Sequence, residues 1–333
     1  MFDRIRTLLD GTDDEPADAD AVADGGTVTT GRSPGLPSLG VSRDFVQSLP
    51  FWLPPTLLLG FFVYGAIIWN FVFSLTDFEG LRYPEYDVSN FDFDMYVRLF
   101  QDPSFWVVTR NTVFVLVLFT VMCLVVGLGL AILLDRKLRF DDAFQTIYLL
   151  PFALSFVVTG LLWTWMYNPV QGMINLTLEF VGLGIVTQNW LGDPQFTLAA
   201  VVFALVWQYS GYAMVVFLAN IQSIPDAHYE AARVDGASTV RMYRRVIIPQ
   251  LSPAAVSIAV VLMVFALKAF DFLYVIFGFN PGTSADILAT FMYRQAFQAT
   301  RWAYGAAIAT VMFLITLGIL APYLYRQYQT GDL

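Results

Sequence analysis

IPDAHYEAARVDGASTVRMYRRVIIPQLSP, residues 224–253, is a polar segment set between two long apolar stretches, and it decides how the rest of the chain is built. Locally it reads as two short helices. Asp226 can cap the first, its side-chain oxygen accepting from backbone N–H groups that lack a partner in an opening turn. Gly236 suits the stop, because a residue without Cβ enters the left-handed region cheaply. Ser238 or Thr239 can cap the second helix, and Pro249 marks its end. Arg241, Arg244 and Arg245 keep the i, i+3, i+4 spacing of one helical face. Connections in helical bundles usually take about 2–8 residues. The surplus here forms either a rigid knob with Glu230 and Arg233 at its tip or an amphipathic helix lying on a membrane surface. The pattern alone leaves both open.

Outward from this segment the chain is apolar in six blocks, roughly Phe51–Leu75, Thr112–Leu134, Ile147–Met166, Leu198–Ala219, Val246–Gly278 and Ala303–Tyr325. It is 57% hydrophobic and 14% charged, against about 45–50% and about 25% for soluble chains. Crossing about 30 Å of hydrocarbon takes about 20 apolar residues at 1.5 Å each. Each block meets that length, so the predicted fold class is all-α integral membrane with six transmembrane helices. A soluble alternative would need six unusually long helices, hydrophobic all round. The first block follows an acidic leader, which is not the start of a cleaved signal peptide, so it is expected to be retained. Trp52, Trp69, Trp106, Tyr148, Trp302, Tyr323 and Tyr325 lie near span ends, as interfacial aromatic belts do. Arg136, Lys137 and Arg139 sit in the 2–3 connection, and Arg233, Arg241, Arg244 and Arg245 in the 4–5 connection. The 1–2 connection is mainly acidic, and the 3–4 connection has no basic residue. The positive-inside rule then places the 2–3 and 4–5 loops and both termini in the cytoplasm. Arg294 and Arg301 in the 5–6 loop oppose it.

Residues 1–44, with eight acids in the first 24 positions, are expected to form a disordered cytoplasmic leader. Residues 45–333 are expected to be one six-span membrane domain with its long cytoplasmic connection at 221–253. The net charge of −9, built on 22 Asp with only two Lys, suggests a halophile whose surface must stay hydrated in concentrated salt. Cys123 is the sole cysteine, so no disulfide forms within the chain. No catalytic or metal site is expected. His228 is the only histidine, which excludes an H-E-x-x-H pair, and it is better placed facing solvent on the polar loop. Neither Lys137 nor Lys268 lies in a G-x-x-x-x-G-K-[ST] phosphate loop. The chain is therefore not an ATPase, and its energy comes from another chain or from an ion gradient.

Glu230-Ala231-Ala232, Asp235-Gly236-Ala237 and Ile247-Ile248-Pro249 resemble the EAA signature of ABC importer permeases. In its sugar-importer form that signature reads Y-E-A-A-x-x-D-G-A, then I-x-x-P, between the fourth and fifth core spans. Asn90–Thr112 is similar to that family's first external loop. Leu150-Pro151-Phe152 with Trp163–Asn175 is similar to its third span. Phe270-Asp271, Ala296-Phe297 and Tyr304–Ala309 are similar to its last two spans. One departure stands out: the family's T-x-G-G-P turn after span 5 is replaced by FGFNPG at Phe277–Gly282. The resemblance implies a type I importer permease core that moves a carbohydrate by alternating access. It implies that Glu230, Ala231, Ala232, Asp235, Gly236, Ala237 and Pro249 couple to a cytoplasmic ATPase. The implied partners are a second permease, usually a distinct homologue, two ATPase subunits and an extracytoplasmic solute-binding protein. ATP and Mg would sit on the ATPase, with no cofactor on this chain.

Lys268 and Asp271 lie deep in the fifth block, three residues apart. An ionisable group at membrane depth costs at least about 2.5–3.5 kcal/mol and faces a partner or a water-filled path. The two either pair with each other or line the solute path, and the likeness to maltose-type permeases implies the path. It adds Gln208, Tyr209 and Tyr212 of span 4 and Ser155 of span 3, each of which singly is equally suited to ordinary packing. The first rival is an ion-gradient-driven secondary transporter with Lys268 and Asp271 as the ion site, which leaves the ordered polar loop unexplained. The second, a membrane-embedded enzyme, lacks a cluster of His, Cys or carboxylates at one depth.

Overall fold

The structure is a computed structural model describing residues 43–80, 91–136 and 141–330. The leader falls almost wholly outside these residues, as do Lys137 and Arg139. All regular structure among the described residues is helical. The chain divides into two units at Leu57/Leu58. The first holds the start of helix α1 (Ser48–Ser74), where Thr56 Oγ1 donates to the Trp52 carbonyl at 2.7 Å. The second continues α1 and adds α2 (Asp94–Gln101), α3 (Pro103–Asp135), α4 (Asp142–Ala153), α5 (Phe156–Met166), α6 (Met173–Phe180) and α7 (Thr197–Gln222). After these come α8 (Asp226–Val234), α9 (Thr239–Gln250), α10 (Ser252–Leu267), α11 (Phe270–Phe277), α12 (Leu288–Tyr293) and α13 (Trp302–Thr330).

Helices α1, α3, α7 and α13 are each long and apolar enough to cross a membrane. The other two blocks are bent pairs, α4–α5 at 101° and α9–α10 at 65°. Six spans result when each pair counts as one, so the single helices read at Ile147–Met166 and Val246–Gly278 are corrected to broken ones. The causes are local. Pro151 ends the regular turn of α4, and Ser155 restarts the chain as N-cap of α5, its Oγ accepting from Val158 N at 3.3 Å. Pro253 lacks the N–H that would carry α9 into α10. The fifth block breaks again at Lys268–Ala269, where Lys268 caps α10 and Ala269 opens α11.

The core is the crossing of α3 and α7. Lipid gives apolar side chains no advantage in leaving it, so membrane helices associate through close van der Waals contact, which small residues permit. Gly127 shows this directly: a Cβ there would stand 2.5 Å from Ala213 Cβ and 2.9 Å from Met214 N. Phe119, Met214 and Phe217 fill the seam around it. Polar bonds fix the outer helices. Asn70 Nδ2 of α1 donates to Thr310 Oγ1 and the Ala306 carbonyl of α13 at 3.1 and 3.2 Å. Tyr304 donates to Asp102, the N-cap of α3, at 2.9 Å.

Candidate functional site

Helix α8 stands out from the bundle. It begins directly after Pro225, which occupies the N-cap position, so Asp226 is its first helical residue and not the cap read from sequence. At this position the carboxylate still faces the positive end of the helix dipole. The stop is a Schellman turn. Gly236 adopts φ +68°, its N–H donates to the Arg233 carbonyl, and Ala237 N–H donates to the Ala232 carbonyl, each at 3.0 Å. Ser238 then takes the N-cap position of α9 without a side-chain bond. Ala232 is buried and Ala237 half-buried, so the turn seats on the bundle. Glu230, Ala231, Arg233, Asp235 and Gly236 are exposed, as is Val234, at 88%. Pro249 is exposed within the last turn of α9.

The seat is specific. Tyr243 of α9 is buried, and its hydroxyl donates to Asp135 Oδ2 at the end of α3, at 2.5 Å. Met242 and Ile247 are buried beside it. Between α8 and the end of α3 lies an open cleft of about 760 Å³ whose polar lining includes Asp135, Arg136, Asp226, Tyr229, Glu230 and Arg233. Burial, then the charges of Asp135 and Asp226, push the Tyr229 phenol above its usual range, so it stays neutral. The result is an exposed helix seated on the bundle at its C-terminal turn, and Glu230 and Arg233, at the cleft, form no ion pair with one another. The bond from Tyr243 to Asp135 was not foreseen from sequence, since 108 residues separate its partners.

The six residues proposed for a path fall into two groups around the helix breaks. Gln208 is buried, and its Nε2 donates at 2.8 Å to the Leu154 carbonyl that the α4–α5 break leaves without a helical partner. Tyr209 is buried among Phe119, Phe152, Phe156 and Phe265, with ring centroids 4.8–5.8 Å away. Tyr212 is half-buried and stacks on Phe152 at 5.5 Å. Ser155, the α5 cap, is exposed. Lys268 and Asp271 flank the α10–α11 break, both are exposed, and no ion pair joins them. The structure thus gathers Ser155, Gln208, Tyr209 and Tyr212 at one break and presents Lys268 and Asp271 at the other.

A third polar cluster lies near the opposite end of α3. Asp286 is buried, and its carboxylate accepts from Thr290 Oγ1 at 2.6 Å and pairs with Arg294. Asn111 of α3 donates to the Thr283 and Asp286 carbonyls at 3.0 and 2.9 Å. Leu288 N donates to Thr112 Oγ1 at 2.9 Å. Burial raises the Asp286 carboxyl above its usual range, and Thr290 and Arg294 offset only part of that rise. Arg294, an exception to the charge rule in the sequence, is thereby accounted for as a structural partner. Among the described residues no group of three or more His, Cys, Asp and Glu could hold a metal.

Residues 123–330 match the family described as "Binding-protein-dependent transport system inner membrane component". The chain is 52% identical over 294 residues to the xylose/arabinose import permease protein XacH of Haloferax volcanii, covering 88% of this chain and 92% of that one. It is 47% identical over 298 residues to a probable ABC transporter permease protein of Pyrococcus horikoshii, covering 90% and 98%. It is 32% identical over 232 residues to the trehalose/maltose transport system permease protein MalF of Thermococcus litoralis, covering 69% and 77%. Among solved structures, a chain of a bacterial alginate ABC transporter in complex with an alginate-bound periplasmic protein has the same fold, at TM-score 0.72 and 23% identity, covering 87% of this chain and 96% of that one.

Proposed function

Because the chain belongs to the inner-membrane components of binding-protein-dependent transport systems, the permease subunits of ABC importers, we propose that its cargo is a sugar and that α8 is the handle by which a separate ATPase moves it. One observation carries the second part: a short, exposed helix whose root is fixed to the bundle by Tyr243–Asp135, with Glu230 and Arg233 exposed at the open cleft and in no ion pair among the described residues. A surface-lying amphipathic helix would turn an apolar face outward to lipid. The exposed positions of α8 are mostly polar or small, Val234 excepted. Force applied at α8 passes into α3 through Asp135, and α3 forms the central crossing with α7.

The 4–5 loop then faces the cytoplasm with both termini, in agreement with its arginines. A second permease, two ATPase subunits and an extracytoplasmic binding protein complete the machine, and ATP with its Mg sits on the ATPase. Lys268 and Asp271, exposed at the break in the fifth span, line the solute path where the two permeases meet. Half-helix ends and irregular backbone at membrane depth are tolerated where they line a cavity. The sugar assignment is supported by the names of the similar permeases, which concern pentoses and disaccharides.

The test is co-purification and uptake. The intact chain, expressed with its partner permease and ATPase, retains the ATPase in detergent, and Glu230→Lys loses it while remaining in the membrane. A deletion strain complemented with the parent chain regains uptake of radiolabelled xylose, arabinose or maltose. Uptake with no ATPase bound overturns the coupling reading, and normal growth of the deletion strain on all three sugars overturns the cargo.

A further inference from the structure

Helix α9 carries a charged face that neither the ATPase handle nor the bundle uses. Arg241, Arg244 and Arg245 are all exposed, and none hydrogen-bonds or pairs with another described side chain. They stand opposite the buried Met242, Tyr243 and Ile247, with the apolar Val240 (77% exposed) and Ile248 beside them. A helix with basic residues and aliphatic carbons on one face matches the headgroup region of a bilayer, where guanidinium groups meet phosphate and the aliphatic groups meet the acyl boundary.

Two further observations place this face at that depth. Helix α9 meets α10 at 65°. If α10 crosses the bilayer, α9 runs closer to the plane of the surface than to its normal. The level is marked independently by tyrosine. Tyr323 of α13 donates to Ser257 of α10 at 3.1 Å. Five residues further along each helix toward the α9 end stand Tyr328 and Ser252, each about 7.5 Å on at 1.5 Å per residue. Tyr325 and Tyr328 are 64% and 75% exposed, as tyrosines at a membrane–water boundary are. Ser252, where α9 hands over to α10, therefore lies at the aromatic belt.

We infer that the Arg241–Arg244–Arg245 face binds the phosphate headgroups of anionic lipids. It thereby holds α9, and with it the root of the handle, at the level of the leaflet surface. The inference rests on the permease reading for the presence of the membrane. It adds a lipid partner to that reading.

The assembled transporter is reconstituted in phosphatidylcholine vesicles carrying a photoactivatable phosphatidylglycerol or, in parallel, a photoactivatable phosphatidylcholine. The glycerol probe should label the peptide containing Arg241–Arg245, and unlabelled phosphatidylglycerol should compete it away. Each charge near an anionic surface contributes about fivefold. R241Q/R244Q/R245Q should therefore weaken competition on the order of a hundredfold, while R241K/R244K/R245K keeps most of it. Equal labelling by both probes overturns the inference. So does unchanged labelling of the Gln variant. If the Gln variant loses the ATPase in lipid-free detergent, the arginines belong to the protein interface: the inference falls and the permease reading stands. ATPase missing from the parent complex would instead remove the reading of α8 as the ATPase handle.

Discussion

Replacing Gly236 separates conformation from contact at the proposed handle. The residue sits at φ +68°, and a Cβ added there meets nothing within 4 Å. A side chain therefore costs backbone strain and no collision within the chain. For an L residue forced into the left-handed region that strain is about 1–2 kcal/mol, a factor of about 5–30 in the population of the Schellman turn. Two bonds depend on the turn, Gly236 N–H to Arg233 and Ala237 N–H to Ala232. Gly236→Ala should weaken ATPase docking by that factor, and Gly236→Val should do worse because β-branching disfavours positive φ further. Gly236→Asn should stay close to the parent, since Asn enters the left-handed region readily. Gly236→Asp shares that tolerance and adds a negative charge, so any extra defect measures the ATPase groove rather than the backbone. The assay is titration of purified ATPase onto the reconstituted permease pair, read as stimulated ATP hydrolysis, with membrane yield as the control. Equal loss in the Asn and Ala variants would refute the conformational argument and assign Gly236 to close approach by the partner.

Tyr243→Phe removes the one hydroxyl bonded to Asp135. A hydrogen bond to a charged group contributes about 1.5–3 kcal/mol, so amides of residues 226–250 should exchange faster. Solute-stimulated hydrolysis should fall while basal hydrolysis persists, and unchanged exchange would show that burial alone seats α9. Gln208→Leu strands the Leu154 carbonyl, at about 1–3 kcal/mol. Its expected signature is a lower melting temperature with unaltered solute affinity, and a pure affinity change would make Gln208 a solute contact instead. Lys268→Ala and Asp271→Ala should each depress uptake with basal ATPase activity intact, and unchanged uptake in both would take the second break out of the path.

The turn at the end of α8 is the most legible part of the chain because its determinants are local. Gly236 has to be left-handed, and it is, since its own position is open and nothing lies within 4 Å of where a Cβ would stand. The cap of α8 lies one residue earlier than the aspartate suggests, because proline and aspartate both suit a helix start; Pro225 has a helical φ of −58° but an extended ψ of 139°, which leaves it at the cap. Composition marked the six apolar blocks, but hydropathy sums over a window and cannot register a bend inside it. Pro151 and Pro253 signal two of the breaks. Lys268–Ala269 carries no proline or glycine, and the unusual residue there is the charge itself. On sequence alone, a lysine and an aspartate at membrane depth carry a cost that calls for a partner or a water-filled path. The structure meets that cost differently, by ending one helix at Lys268 and starting another at Phe270, so that Asp271 falls in the first turn of α11 and Lys268 caps the end of α10. Each charge then faces the dipole end of opposite sign, which stabilises both without an ion pair. Both side chains stay free at the surface, so the groups that sequence singled out for solute contact remain available for it.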